Sequence, residues 1–251
     1  MTLQQRMSES NEGKARRKAC FDVMDVRTGQ RVLDLGCGGG YLVKELALSV
    51  GDNGTVVALD SSAAQIEIAK KTCTDLTNVE YITCSATQLP FPDASFDSIA
   101  SIQTLEYIPD IDVVLQECRR VIKPGGRFAA ISVMWDHFKI HGADKEVATK
   151  MFSAFKGHCA HQNLPVEMPS SLGKNNFTGL QQTSLAFYIN SYHANSFGFY
   201  ASKVVRGFAK SSGEFTQDEL DTWDTSLEKA VAEHKFAFCS FPILTYALAP
   251  M

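Results

Sequence analysis

From Arg31 to Val133, short apolar runs rich in β-branched residues alternate with stretches of helical period. That alternation is the pattern of a parallel α/β sheet in which helices cover the strands. Strands are predicted at Arg31–Gly36, Thr55–Asp60, Val79–Cys84, Phe96–Ile102 and Arg127–Val133. Between them, Ile66, Ala69, Cys73 and Leu76 share one helical face, and Ile111, Val114, Leu115, Cys118 and Ile122 share another. The second of these helices opens at Pro109-Asp110, a turn and cap signal. It stops at Lys123-Pro124-Gly125-Gly126, where proline removes a donor and glycine permits positive φ.

After Val133 the pattern loosens. A helix is expected near Lys145 to His158, then a loop, and Leu180 to Ile189 reads as a sixth strand. Two amphipathic helices follow, one with Phe197, Ala201, Val204 and Phe208 on a face, the other with Leu220, Trp223, Leu227 and Val231. Lys235 to Ala249 is apolar on both faces and is expected to be one buried last strand.

The chain has 251 residues, 45% hydrophobic and 21% charged, with no repeat and no linker long enough to divide it, so one domain is expected. A net charge of −4 gives no broad positive field, which argues against a nucleic-acid partner. The first residues lack the layout of a signal peptide and no apolar stretch is long enough for a membrane span, so a cytoplasmic location is expected. Seven scattered cysteines without a CxxC pair argue against a disulfide framework or a zinc knuckle.

The strongest local signal is VLDLGCGGG, residues 32–40, a strand running into a glycine-rich turn at the mouth of a helix. A dinucleotide fingerprint would need a glycine at position 41, which is Tyr. Asp34, just before the turn, would repel a pyrophosphate and attract a cationic amino-acid group. Asp60 ends the second strand, where a carboxylate can accept both hydroxyls of a ribose. Together the two acids suggest a nucleoside carrying an ammonium or sulfonium, a description that S-adenosylmethionine fits.

At this point the sequence resembles the class I S-adenosylmethionine-dependent methyltransferases, in the broad group that includes quinone-biosynthesis C-methyltransferases and many small-molecule enzymes. Four blocks carry the resemblance in order: VLDLGCGGG, VVALD, CSATQLPFPDASFDSIASIQTLEYIPD and RRVIKPGGRF. It implies a Rossmann-like, doubly wound, seven-stranded sheet, mostly parallel with the last strand antiparallel, plus helical cap segments. Within one domain, residues 1–30 would form an N-terminal helical lid, 31–133 the cofactor half, and 134–251 the substrate side. By the same resemblance, Asp34, Gly36, Gly38 and Gly40 hold the methionine part, Asp60 and Ser61 the ribose, and Ala86 and Thr87 flank the adenine, while Cys37, inside the turn, is read as a small residue contacting the ligand. Gln103 lies against the methionyl side, and a lid arginine, Arg16 or Arg17, is placed to reach a carboxylate. Relatives often have Asp where this chain has Ser85, whose neutral hydroxyl is a weaker partner. Leu105-Glu106-Tyr107 stands where many relatives have paired histidines, so no role of those histidines transfers.

Methyl transfer is an in-line displacement that requires no metal, leaves S-adenosylhomocysteine, and needs a base only if the nucleophile arrives protonated. Glu106, directly after the fourth strand, is a candidate base or cation clamp beside a solvated-carboxylate alternative. His158 and His161 are further candidate bases, because an imidazole titrates near working pH. Tyr107, Trp135, His137 and Tyr192 are candidate walls for the acceptor, with plain packing as the alternative. The His137/His141 and His158/His161 pairs have metal-ligand spacing but lack an evident third ligand, and no metal is expected. The leading expectation is a small-molecule O- or N-methyltransferase. Its rivals are a C-methyltransferase of a quinone-like ring and a binding module that keeps the cofactor fold without turnover.

Overall fold

Leu3–Glu9 (α1) and Asn11–Met24 (α2) meet at Ser10, whose hydroxyl caps α2 by accepting from Gly13 N at 3.0 Å. The structure, a computed structural model, describes residues 3–251, so residues 1 and 2 of the expected lid lie outside it. The chain then alternates through Arg31–Leu35 (β1), Tyr41–Val50 (α3), Thr55–Asp60 (β2), Ala63–Thr72 (α4), Val79–Thr83 (β3), Phe96–Ile102 (β4), Ile111–Val121 (α5) and Ile122–Val133 (β5). Lys139–His141 (β6), Lys145–Phe155 (α6), Leu164–Lys174 (α7), Thr178–Ser184 (β7) and Phe187–Ile189 (β8) follow. Phe197–Ser212 (α8), Gln217–Ala232 (α9), Ala237–Ser240 (β9) and Pro242–Leu248 (β10) complete it.

The main sheet has the order β3-β2-β1-β4-β5-β10-β7, parallel through β5, with β10 antiparallel to both of its neighbours. This is the doubly wound, mostly parallel sheet with an antiparallel last strand that the family resemblance implies. Its apolar residues face two ways. Leu115, Phe128 and Met168 belong to a core under α5 and α7, whereas Val43, Ala58 and Ile131 belong to one under α2, α3 and α4. Burial on both faces explains why these strands read as continuous apolar runs.

Three expectations for the C-terminal part need correction. The run Leu180–Ile189 is two strands: β7 joins the main sheet, while β8 joins a small sheet of order β6-β9-β8. Lys235–Ala249 divides in the same way at Phe241, into β9 in the small sheet and β10 in the main one. Its two-faced apolarity therefore comes from two different cores. The expected loop after His158 contains α7, whose two prolines conceal it. Pro165 sits in the first turn, where it costs no bond, and the carbonyl that Pro169 leaves unpaired, that of Pro165, accepts from Gln182 Nε2 at 2.7 Å.

The helical cap has its own core, in which Trp223, Phe238, Met151 and Val205 are fully buried. It buries Phe197 and Ala201 of α8 as expected, but Val205 and Ala209 more deeply than Val204 and Phe208. Among the described residues no helix is long and apolar enough to cross a membrane.

Candidate active site

The carboxyl ends of β1, β2, β3 and β4 open onto one cavity of about 620 Å³, roofed by α1 and α2. The glycine loop shapes its floor. Gly36 (φ 79°) and Gly40 (φ 79°) are left-handed, and a Cβ on Gly36 would lie 2.1 Å from Thr104 Oγ1. Only glycine lets the backbone turn there beside the end of β4. Gly36 N and Cys37 N both donate to Leu59 O, at 2.7 and 2.9 Å, tying the loop to β2. Gly36, Cys37 and Gly38 line the cavity; Gly40 does not, and instead starts α3 against Ala69.

Asp34 is 2% exposed, and its Oδ2 has no hydrogen-bond partner among the described residues. Burial, and then the neighbouring Asp60, push its carboxyl up to about 7. A buried, unpartnered acceptor on the wall of a cavity is a socket for a donor that arrives with a ligand. Asp60 is held by the backbone, accepting from Gly38 N and Ser62 N, each at 2.9 Å, and Ser61 beside it lines the cavity. Ser85 and Ala86 line it next to the end of β3. Thr87 lies outside and acts on Ser85, bonding Oγ1 to Oγ at 2.7 Å.

Gln103, directly after β4, has a left-handed conformation (φ 51°), a strained state for a residue with a Cβ. Its side-chain oxygen accepts from Arg16 Nη1 of α2. Arg16 lines the cavity, its guanidinium 5.2 Å from the Phe197 ring of α8. Burial lowers its pKa to about 10, against the opposing field of Glu106. Arg17 also lines the cavity but is engaged with Glu45 at 2.7 Å. Sequence reasoning did not single out Gln4, Met7, Thr104 and Ile108, which line the cavity too. Thr104 had a signal, its place directly after a strand end. Gln4 had none, since its role depends on the fold bringing α1 to Gln65, whose Nε2 donates to Gln4 at 2.8 Å.

Of the candidate acceptor walls, Tyr107 and Trp135 line the cavity. His137 and Tyr192 do not. His137 packs on Phe241 at 5.6 Å, and the Tyr192 hydroxyl bonds Ser202 at 2.9 Å with its ring against Phe236 inside the cap.

The three candidate bases separate. Glu106 is fully buried outside the cavity, because a short 3-10 turn, Leu105–Tyr107, directs it inward. It accepts from Val133 N at 3.4 Å, and burial raises its pKa to about 7. Its backbone carbonyl accepts from Ala160 and His161, each at 3.0 Å. His161 presents Nδ1 to Glu167 at 2.9 Å and Nε2 to the Ile108 and Pro109 carbonyls at 3.1 and 3.2 Å, leaving neither nitrogen free for an acceptor. His158 places Nδ1 2.5 Å from the Phe155 carbonyl, which can only accept, so the ring proton sits on Nδ1. Its Nε2 is buried with no partner among the described residues, and burial lowers its pKa, keeping the ring neutral. The ring stacks on Phe155 at 4.0 Å and meets the edge of Trp135 at 4.3 Å, directly behind the cavity wall. Among the described residues, no group of three His, Cys, Asp or Glu side chains could hold a metal ion.

Residues 33–130 match a family model described as a methyltransferase domain. The chain is 40% identical over 117 residues to demethylmenaquinone methyltransferase of Listeria monocytogenes, covering 46% of this chain and 49% of that one. It is 36% identical over 114 residues to the ubiquinone/menaquinone biosynthesis C-methyltransferase UbiE of Hahella chejuensis, 44% of this chain and 46% of that one. The match thus spans about half the length of these curated relatives. Among solved structures, the YcgJ protein of Bacillus subtilis shares the fold, with a TM-score of 0.65 at 19% identity over 95% of this chain and 99% of that one. The sheet order, the glycine loop with its unpartnered Asp34, and the matched blocks agree, and the chain carries a class I S-adenosylmethionine-dependent methyltransferase domain.

Proposed function

We propose that this chain transfers a methyl group from S-adenosylmethionine to an oxygen or nitrogen of a small, largely apolar molecule. The observation that carries the proposal is one continuous cavity. It joins Asp34, Asp60 and Ser85 to a side walled by Met7, Tyr107, Ile108, Trp135 and Val204.

The cofactor fits the residues present. Asp34 Oδ2 is a buried acceptor awaiting an ammonium donor, and the glycine turn leaves backbone where any side chain would collide. In this assignment Asp34 takes the ammonium, Asp60 and Ser61 the ribose hydroxyls, Ser85 and Ala86 the adenine edge, and Arg16 with Gln103 the methionyl end. When bound, S-adenosylmethionine supplies an electrophilic methyl on a sulfonium. The walls exclude water and hold the acceptor in line. His158 stands behind Trp135 and not on the cavity lining, so its neutral Nε2 takes the proton of an acceptor hydroxyl only as the Trp135 ring turns aside. Glu106 and His161 are left as positioning groups for the loop around Ala160.

The test is release of S-adenosylhomocysteine, followed by mass spectrometry, with panels of apolar phenols, alcohols and amines. Wild type is expected to methylate a member of the panel, and His158→Ala to lower turnover by about 10²-fold or more with calorimetric cofactor affinity unchanged. Equal turnover in the variant would remove His158 from the chemistry. Cofactor binding without S-adenosylhomocysteine from any acceptor would favour the non-catalytic module. A second reading, C-methylation of a quinone-like ring, is favoured by the name of the Hahella chejuensis relative and by the apolar wall. NMR of the product separates a ring C–CH₃ from O–CH₃ or N–CH₃.

A further inference from the structure

Residues 175–202 contain no Lys, Arg, Asp or Glu, in a chain that is 21% charged. The fold places two outer strands in that run: β7, at the end of the main sheet, and β8, at the end of the small one. All seven residues of β7 are exposed, and β8 carries Tyr188, 66% exposed. Among the described residues β7 has a partner on one side only, β10, so the backbone groups on its other side are open. Proteins commonly guard such an edge with charge, proline or a very short strand. The opposite edge, β3, is guarded in this way, for it carries Glu80, ion-paired to Arg31 at 2.7 Å. On β7 the ladder is irregular between Tyr246 and Leu248, opposite the left-handed Gly179, but Gln181–Ser184 is regular and bare.

We propose that β7 is the contact strand of a homodimer, in which Gln181–Ser184 of two copies pair antiparallel and continue one sheet through both. A second copy is the partner the chemistry favours. A twofold contact brings the strand against a copy of itself, so like charges along it would repel, and this strand has none. Residues opposite each other in a ladder share a face, so Gln181 and Thr183 of one copy stand beside Gln181 and Thr183 of the other. Gln182 is occupied on its own copy by the Pro165 carbonyl and Thr245, which locks the strand flat against α7 and β10.

Sedimentation velocity on the full chain tests this. Wild type is expected at the mass of two chains, indifferent to salt because the contact is uncharged. Gln181→Lys/Thr183→Lys and Gln181→Glu/Thr183→Glu are each expected at the mass of one chain, since neither side chain has a hydrogen-bond partner among the described residues of its own copy. An equimolar mixture of the two variants is expected to return to two chains, now weakened by salt, which also shows that both variants are folded. A wild type that stays at one chain, a Lys variant that remains at two, or a mixture that fails to associate overturns the proposal.

Discussion

The cofactor half and the cap solve different problems. Around β1, β2 and β4 the chemistry-bearing positions follow from local backbone: a strand ends, a left-handed glycine turns the chain, and a carboxylate lands at a known place. In the cap, built from α6, α8, α9 and the small sheet, position depends on which distant side chain arrives. Trp135, from just after β5, is placed by Phe155 and His158, far along the chain, as well as by nearby Phe138. The first kind of site tolerates change in its packing but not in its backbone. The second kind behaves in the opposite way.

The largest expected effect tests the cap side of this contrast. Trp223 is fully buried at the centre of the cap core, and Trp223→Ala is expected to cost about 3–5 kcal/mol in denaturant unfolding. Calorimetric affinity for S-adenosylmethionine should survive in the folded fraction. Loss of binding in that fraction would show that the halves are not separable.

Gly36→Ala tests the other side, with a somewhat smaller effect. A left-handed alanine costs roughly 1–2 kcal/mol, and its Cβ, 2.1 Å from Thr104 Oγ1, forces the end of β4 to shift at a further cost of about 1–3 kcal/mol. Cofactor binding should be lost while the protein still folds; a variant that binds as wild type would contradict the backbone argument.

The smallest effect is electrostatic. Burial holds the proton on Asp34 until about pH 7, whereas in the unfolded chain it leaves near 3.8. Between those values the folded state binds the extra proton, so unliganded stability falls as pH rises from about 4 to about 7 and then levels. Glu106, raised to about 7 by burial, adds in the same direction. An ammonium ligand needs Asp34 ionised, so cofactor affinity should climb toward about pH 7 and flatten above it. In Asp34→Asn that climb should vanish and affinity should drop, as read by calorimetry across the range. An unchanged climb would assign the titration to another group.

Several positions were legible for identifiable reasons. Asp34, Gly36, Cys37, Gly38, Asp60, Ser61, Ser85, Ala86 and Gln103 all line one cavity, because each sits at or just past a strand end whose place a parallel sheet fixes. Glu106 also follows a strand, yet a single 3-10 turn sends it into the interior. Proximity to a strand end does not choose a side chain's direction. Lys235–Ala249 reads as one strand because apolarity records burial, not which sheet does the burying. Helix α7 was obscured by Pro169, whose missing bond is made good by Gln182, thirteen residues along and in another element.

By itself the sequence determined the parallel order of elements, the glycine turn and the two acids, because period, turn chemistry and charge act over a few residues. Only the tertiary structure decided that Arg16 enters the cavity, that His161 is bound on both nitrogens while His158 keeps one free, and that β7 is left bare. Those outcomes depend on contacts between segments far apart in the chain, and local preference carries no record of them.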